Sequence, residues 1–337
     1  MKLPASCIIL PKYAVSCIRS TVLRTAKNLK SDAPLIRELR ALIARHAEAP
    51  QAHRPLPIIM VAASNLPTPP FAYIAEPALL AEPTFGLVAQ GAKRVVLGNQ
   101  VFDYAAGQYL IFSVDLPLSG SVVQASATEP FLGFGLKLKA DVIAALLLET
   151  SAPRKAKTEP PGIAVSDLTD DLLDPIVRLL RLLDRPEDIA VLAPAIEREI
   201  LWRLINGAQG AMVRQLGLAD SRMTQIGRAI RWIRDHYAET VRIEDLANMA
   251  GMSLTSFHRH FLGVTSLSPL QFQKQIRLQE ARSRLLLSSQ DVAAVGFAVG
   301  YDSPSQFSRE YRRLFGAPPG QDGERLRRSK ELSDAAH

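Results

Sequence analysis

The 337-residue chain is 47% hydrophobic and 22% charged, the balance of a soluble globular protein and not of a disordered or fibrous one. Its length allows two domains, each with a core of its own, and no apolar run approaches the ~20 residues of a membrane span. The formal charge of +7 is uneven: residues 221–337 carry a net +5 and residues 1–220 a net +2. An excess of that kind in the smaller part suits a polyanionic partner such as nucleic acid.

Residues 1–32 hold two short apolar runs broken by Pro11, Lys12 and Arg19, which denies them the apolar core of a signal peptide. They read as a poorly ordered leader. Cys7 and Cys17 lack a second pair to complete a zinc site and give no disulfide framework, which suits a reducing cytoplasm; a redox-sensing pair stays an alternative. Residues 33–48 place Leu35, Leu39, Leu42 and Ile43 at helical spacing.

From Pro55 the apolar period changes to two. Pro57-Ile-Ile-Met-Val-Ala, Phe85-Gly-Leu-Val-Ala-Gln, Lys93-Arg-Val-Val-Leu, Gln100-Val-Phe-Asp-Tyr, Gln108-Tyr-Leu-Ile-Phe-Ser-Val, Gly120-Ser-Val-Val-Gln-Ala and Phe131-Leu-Gly-Phe-Gly-Leu-Lys-Leu read as short strands. Turn signals at Gly91, Gly98-Asn99, Gly107 and Pro117 separate them, which predicts an antiparallel sandwich or barrel. Helices follow over 141–149, 170–183 and 191–204. Residues 151–162 form an exposed Pro- and Lys-rich loop, and 206–215 a ragged end and connector. Residues 33–215 thus make one domain.

Its aromatic residues Phe71, Tyr73, Phe85, Phe102, Tyr104, Tyr109 and Phe112 are candidates to line a ligand cavity, Phe85, Phe102, Tyr104 and Tyr109 foremost. Core packing is the competing use of the same rings. The rival reading is a metal-dependent cupin enzyme fused to a DNA-binding domain. Such a site needs several imidazoles, and this half offers only His46 and His53, both ahead of the strands. Without a phosphate loop, a Ser/His/Asp order or paired carboxylates, the expectation is no catalytic residue, no metal and no cofactor.

From Ser221 the pattern is all helical: 221–237, 243–250, 254–261, a long helix from Ser268-Pro269 to about 287, 292–299 and 304–315. One local pattern occurs twice. Ala247 and Gly296 each stand four positions before a glycine, Gly251 and Gly300, that tolerates a tight helix-ending turn. An apolar residue follows, Met252 or Tyr301, then a capping serine, Ser253 or Ser303. The next helix carries an apolar anchor, Phe257 or Phe307, and an arginine, Arg259 or Arg309. This is helix-turn-helix grammar in tandem. A stiff spacer of about 19 residues, near 28 Å long, can set two recognition helices about one DNA turn apart.

Side-chain direction selects the readers. Phe257 and Phe261 face the core, which leaves Thr255, His258 and Arg259 outward; Phe307 and Tyr311 do the same for Ser305, Ser308 and Arg309. These six are the candidate base readers, the arginines being suited to guanine N7/O6. Ser253, Ser303, Lys274, Arg277, Arg312 and Arg313 are the candidate phosphate contacts.

Residues 225–323 resemble the DNA-binding domain of the AraC/XylS family of bacterial transcription regulators. The matching text includes Ile243-Glu-Asp-Leu-Ala, Ser256-Phe-His-Arg-His-Phe, Arg277-Leu-Gln-Glu-Ala-Arg and Val299-Gly-Tyr-Asp-Ser-Pro-Ser-Gln-Phe-Ser-Arg-Glu-Tyr. The resemblance maps the family's base contacts onto the same six residues. Gly296 departs from the family's usual alanine, which predicts a slightly looser second unit, and Gly320-Gln-Asp-Gly lacks the usual ending, so 324–337 reads as a flexible tail. Residues 56–150, through Glu82-Pro-Thr-Phe-Gly-Leu-Val-Ala-Gln-Gly-Ala-Lys-Arg-Val-Val-Leu-Gly and Ser113-Val-Asp-Leu-Pro-Leu, resemble the cupin-like N-terminal domain of one subgroup. The expected architecture is α+β in two domains: an antiparallel cupin-like β-barrel with flanking helices, then an all-α domain with two helix-turn-helix units. The resemblance implies double-stranded promoter DNA, a small-molecule effector, RNA polymerase and a second copy of the chain as partners. A cytoplasmic location and no membrane contact go with it.

Overall fold

The computed structural model describes residues 33–47, 56, 58–63, 82–150, 160–218, 221–287 and 291–334. Cys7, Cys17, His53, Phe71 and Tyr73 lie outside them, as does most of the expected 151–162 loop.

The N-terminal part opens with α1 (Pro34–His46), whose Ile36, Leu39, Leu42 and Ile43 form one buried stripe at the spacing a helix requires. Seven antiparallel strands follow: β1 (Ile58–Ala63), β2 (Thr84–Gln90), β3 (Ala92–Leu97), β4 (Gln100–Ala105), β5 (Gln108–Phe112), β6 (Ser119–Gln124) and β7 (Phe131–Lys137). After α2 (Ala140–Glu149) comes an eighth strand, β8 (Ile163–Asp167), that the sequence pattern did not announce. Then come α3 (Asp170–Arg181), α4 (Pro186–Asn206) and α5 (Gly210–Leu216). The expected ragged connector is therefore largely a separate helix, with Met212 and Val213 buried.

The strands do not close into the expected barrel. They form a five-stranded sheet ordered β1-β7-β2-β5-β8 and a three-stranded sheet ordered β4-β3-β6. No ladder among the described residues joins the two sheets, so this is an open sandwich; the α+β two-domain class stands. One face of the large sheet is mostly apolar, with Ser166 of β8 as a polar member opposite Tyr109. Cross-strand register places Phe85 with Ile111 and Leu136, and Leu87 with Tyr109 and Phe134, and α1 covers the side they share. The other face looks toward the small sheet: a Cβ on Gly86 would lie 3.9 Å from the Tyr104 hydroxyl of β4.

The C-terminal part is all helical: α6 (Arg222–Asp235), α7 (Ile243–Met249), α8 (Leu254–Thr265), α9 (Pro269–Leu287), α10 (Val292–Ala298), α11 (Pro304–Phe315) and α12 (Pro319–Asp334). The last helix replaces the expected flexible tail through Asp334. Its anchor is Asp322, fully buried and bonded to Arg282 Nε at 2.8 Å and Tyr311 Oη at 2.9 Å. Buried apolar side chains fall into two clusters. One runs without a break from the sandwich through α6 to Phe257, Phe261, Phe272 and Ile276. The other is confined to Leu278, Ala281 and Leu285 of α9 together with Val295, Val299, Tyr301, Phe307, Tyr311 and Phe315.

Candidate nucleic-acid interface

The two helix-turn-helix units are built alike. In the first, Met252 N–H donates to Ala247 O at 3.0 Å; in the second, Tyr301 N–H donates to Gly296 O at the same distance. Gly251 and Gly300 take φ of +66° and +89°, the left-handed turn that ends α7 and α10. At Gly300 even a methyl group is impossible, since a Cβ would stand 2.3 Å from Ala238 O. Ser253 and Ser303 cap α8 and α11 by accepting from the Ser256 and Gln306 amides at 3.4 Å. Gly296 is explained by packing: a Cβ there would lie 3.0 Å from the Phe307 ring, which sits close against the bare backbone. The second unit is tightened at that point and not loosened.

Phe257, Phe261, Phe307 and Tyr311 are fully buried, and that fixes the opposite faces. Thr255, His258, Arg259, Ser305 and Arg309 are exposed and Ser308 partly so, three each on α8 and α11. Arg259 makes a 3.3 Å contact with the His260 ring, whereas no described acidic group pairs with Arg309. Arg312 and Arg313 are exposed in the last turn of α11.

Two of the expected phosphate contacts have other work. Arg277 donates to Tyr237 O, Gly300 O, Ala238 O and Glu239 O at 2.7–3.3 Å and lies over the Tyr301 ring. A guanidinium that satisfies four carbonyls at the junction of α6, α9 and α10 is a structural clamp, so Arg277 is removed from the phosphate set. Lys274 pairs with Glu310 at 2.9 Å, and Glu310 also accepts from Tyr301 Oη at 2.8 Å. Burial alone would raise the Glu310 carboxyl, but these donors and Gln306 hold it below its ordinary range. The cluster fixes α11 on α9 and so orients its exposed face. The spacing of Lys274, Tyr301 and Glu310 in the sequence carried no sign of it.

The sandwich docks against the first unit. Asp115 pairs with Arg234 of α6 at 3.0 Å, Gly162 packs against the Val264 carbonyl, and the β3–β4 turn at Gly98 sits on Leu267. Burial raises the Asp115 carboxyl against the pull of Arg234 and Arg231. Beside this clasp is a cavity of about 530 Å³ whose lining includes Val114, Leu138, Met223, Gly227 and Arg231. Most of its other cations are neutralised at home, Lys137 by Glu82, Lys139 by Glu197 and Arg234 by Asp115.

Of the aromatic residues proposed for an effector, Phe85 and Tyr109 belong to the helix-covered core. Their rings are 5.2 Å apart, and Phe85 also meets Phe134 at 6.4 Å. Phe102 and Tyr104 face the space between the sheets, Phe102 partly exposed. Among the described residues no three His, Cys, Asp or Glu gather as metal ligands, and His46 is paired with Asp184. No described helix is long and apolar enough to cross a membrane.

Comparison with known proteins follows the same division. Residues 71–212 match the AraC-type transcriptional regulator N-terminus, and residues 246–325 match a helix-turn-helix domain. The chain belongs to the AraC family of transcription regulators. The HTH-type transcriptional activator RhaS of Escherichia fergusonii is 30% identical over 144 residues, 41% of this chain and 51% of the relative. RhaS of Yersinia pseudotuberculosis is 28% identical over 136 residues, 40% and 47% of the two chains. This AraC-family chain thus spans about half the length of the curated relatives it matches. Among solved structures, ToxT of Vibrio cholerae bound to an unsaturated fatty acid superposes with a TM-score of 0.50 at 10% identity, covering 79% of this chain and 93% of ToxT. An apo ToxT variant gives 0.50 at 9% identity, covering 80% and 97%. At that identity the likeness is one of fold.

Proposed function

We propose that the protein is a sequence-specific, DNA-binding transcription regulator that reads two neighbouring major-groove segments of promoter DNA. The observation that carries this reading is the pair of capped helices, α8 and α11, each with three polar side chains turned outward over a buried aromatic pair. Thr255, His258 and Arg259 read one segment and Ser305, Ser308 and Arg309 the other. Arg312, Arg313 and the first-turn amides beside Ser253 and Ser303 hold phosphates.

The N-terminal domain holds a small-molecule effector in the space between its sheets, where Phe102 and Tyr104 lie. ToxT, whose fold this chain shares, has been crystallised with an unsaturated fatty acid, which supports a ligand-responsive reading. A second copy docks on the outward face of α4, where Val191 is 75% and Leu192 44% exposed beside Leu148 of α2 at 76%. The regulator acts in the cytoplasm and contacts RNA polymerase from the promoter.

The test is footprinting on genomic fragments with the Arg259→Ala and Arg309→Ala variants. Each loses about 1–3 kcal/mol and relaxes base preference at one position. Unchanged protected sequences in both variants would show that other residues read the DNA.

A further inference from the structure

Helices α8 and α11 are built alike up to their last turn, and there they part. Ser253 and Ser303 cap them, Phe257 and Phe307 anchor them, and Phe261 and Tyr311 complete the buried side. Counted on from these anchors, Leu262 of α8 stands where α11 has Arg312, and Gly263 where α11 has Arg313. The last turn of α11 therefore carries two arginines and the last turn of α8 no basic residue.

Leu262 is 53% exposed, and its place on the helix gives that exposure a meaning. Thr255, His258, Arg259 and Leu262 fall at i, i+3, i+4 and i+7, a single stripe along α8, and all four are exposed. A helix lying in a major groove presents that same spacing to base edges. Phe257, Phe261 and Val264 hold the opposite side, with Val264 packed on Gly162 of the sandwich, so the stripe is turned away from that contact. Gly263 adds a second sign. A Cβ there would meet nothing within 4 Å, so no packing inside the protein calls for a residue that weakens a helix relative to alanine. Its bare backbone leaves room for a neighbour to come close from outside.

An arginine at the Leu262 position could stretch to phosphates on the groove wall. A leucine has no donor and ends close to its own helix, so it meets only what lies directly over the stripe. The apolar group that a major groove offers there is the C5-methyl of thymine. Contact between the two takes apolar surface of both out of water.

We propose that Leu262 is a further base-reading residue, which packs on the methyl group of one thymine in the segment read by α8. The proposal rests on the reading of α8 and α11 as the two base-reading helices, and it divides their roles. At its C-terminal end α8 holds DNA by apolar fit, where α11 holds it by charge.

The test measures binding of the full-length protein to a footprinted promoter fragment by fluorescence anisotropy. Each thymine of the α8 segment, the one where Arg259→Ala relaxes base preference, is replaced in turn by deoxyuridine, which lacks only the methyl group. One replacement weakens wild-type binding about fourfold, the worth of a buried methyl group, and leaves Leu262→Ala unaffected. Leu254→Ala and Thr255→Ser, which remove the other exposed methyl groups near the start of α8, keep the fourfold response. Leu262→Arg loses it and steepens the salt dependence of affinity by about 0.9. If Leu262→Ala responds as wild type does, the proposal is overturned, and loss of transcription in vitro by that variant would place the leucine against a protein partner instead. If no deoxyuridine weakens binding while promoter preference persists, the apolar contact is overturned and the DNA-binding reading stands. If the wild-type protein protects no fragment, that reading fails and the proposal with it.

Discussion

Replacement of Asp322 by alanine is the most demanding test of how the second reader is held. The carboxylate is fully buried and accepts from Arg282 Nε at 2.8 Å, Tyr311 Oη at 2.9 Å and Arg325 Nη2 at 2.5 Å. It joins α9, α11 and α12 at one point, and the Arg282 guanidinium also lies 4.8 Å over the Phe315 ring. Removing one member of a buried ion pair costs about 3–5 kcal/mol, because the charge left behind has no solvent to turn to. In a unit of this size that is a fall in Tm on the order of 12–40 °C. Asp322→Asn keeps the shape and one acceptor and loses about 1.5–3 kcal/mol. Because the apolar cluster around Phe307, Tyr311 and Phe315 is separate from the larger one, the loss falls on the second unit. Thermal melting should split into two transitions, and footprints should fade over the segment read by α11 while that read by α8 persists. A single unshifted transition, or equal loss over both segments, would refute the reasoning. Burial alone would raise the Asp322 carboxyl, yet hydrogen bonds from Arg282, Tyr311 and Arg325 leave it below its ordinary 3.8. Its stabilisation is therefore fully present above that value and disappears as pH falls through the lower folded-state value. The Asp322→Asn variant should lose this acid limb of its stability profile.

Other outcomes follow from the same contacts. Arg277→Ala should destabilise the C-terminal domain by about 1.5–3 kcal/mol in denaturant melts, since it strips charged donors from carbonyls. Its salt dependence of DNA affinity should match wild type, and a shallower slope would restore it as a phosphate contact. Arg312→Ala and Arg313→Ala should each lower that slope by about 0.9 with stability unchanged, measured by fluorescence anisotropy at several salt concentrations. Gly300→Ala should cost well over 1 kcal/mol, because the added methyl meets Ala238 O at 2.3 Å in a left-handed turn; Gly251→Ala, with nothing within 4 Å, should be much milder. A Gly300→Ala protein as stable as Gly251→Ala would contradict the packing described.

Much of this architecture is legible in the sequence because it depends on local rules. The tandem glycine turns, the capping serines and the buried phenylalanines are written at fixed spacing, and α11 begins and ends where its proline cap and Gly316 place it. Strand alternation gives seven of the eight strands, but it cannot say which alternate face meets helices and which meets the other sheet. That is why Phe85 and Tyr109 looked like pocket residues beside Phe102 and Tyr104. Sheet closure is likewise a long-range property, and short strands at even spacing suit an open sandwich as well as a barrel. Strand β8 is brief and follows a Pro- and Lys-rich stretch, so its pairing with β5 has no local signature. Arg277 and Asp322 sit in text that reads as polar surface, and their burial arises from elements far away in the chain.

The division of the apolar interior gives the molecule a host and a satellite. The α8 reader is part of the block that contains the sandwich, and the α11 reader hangs from the far half of α9 on a small core of its own. Packing from the sandwich reaches α8 without a break, whereas α11 is tied to it through α9 and through the Arg277 clamp, where Tyr237 borders both clusters and Gly300 packs on Ala238. The two helix-turn-helix units are then not equivalent: a change inside the sandwich bears directly on the first, while the second keeps a small core that can be perturbed by itself.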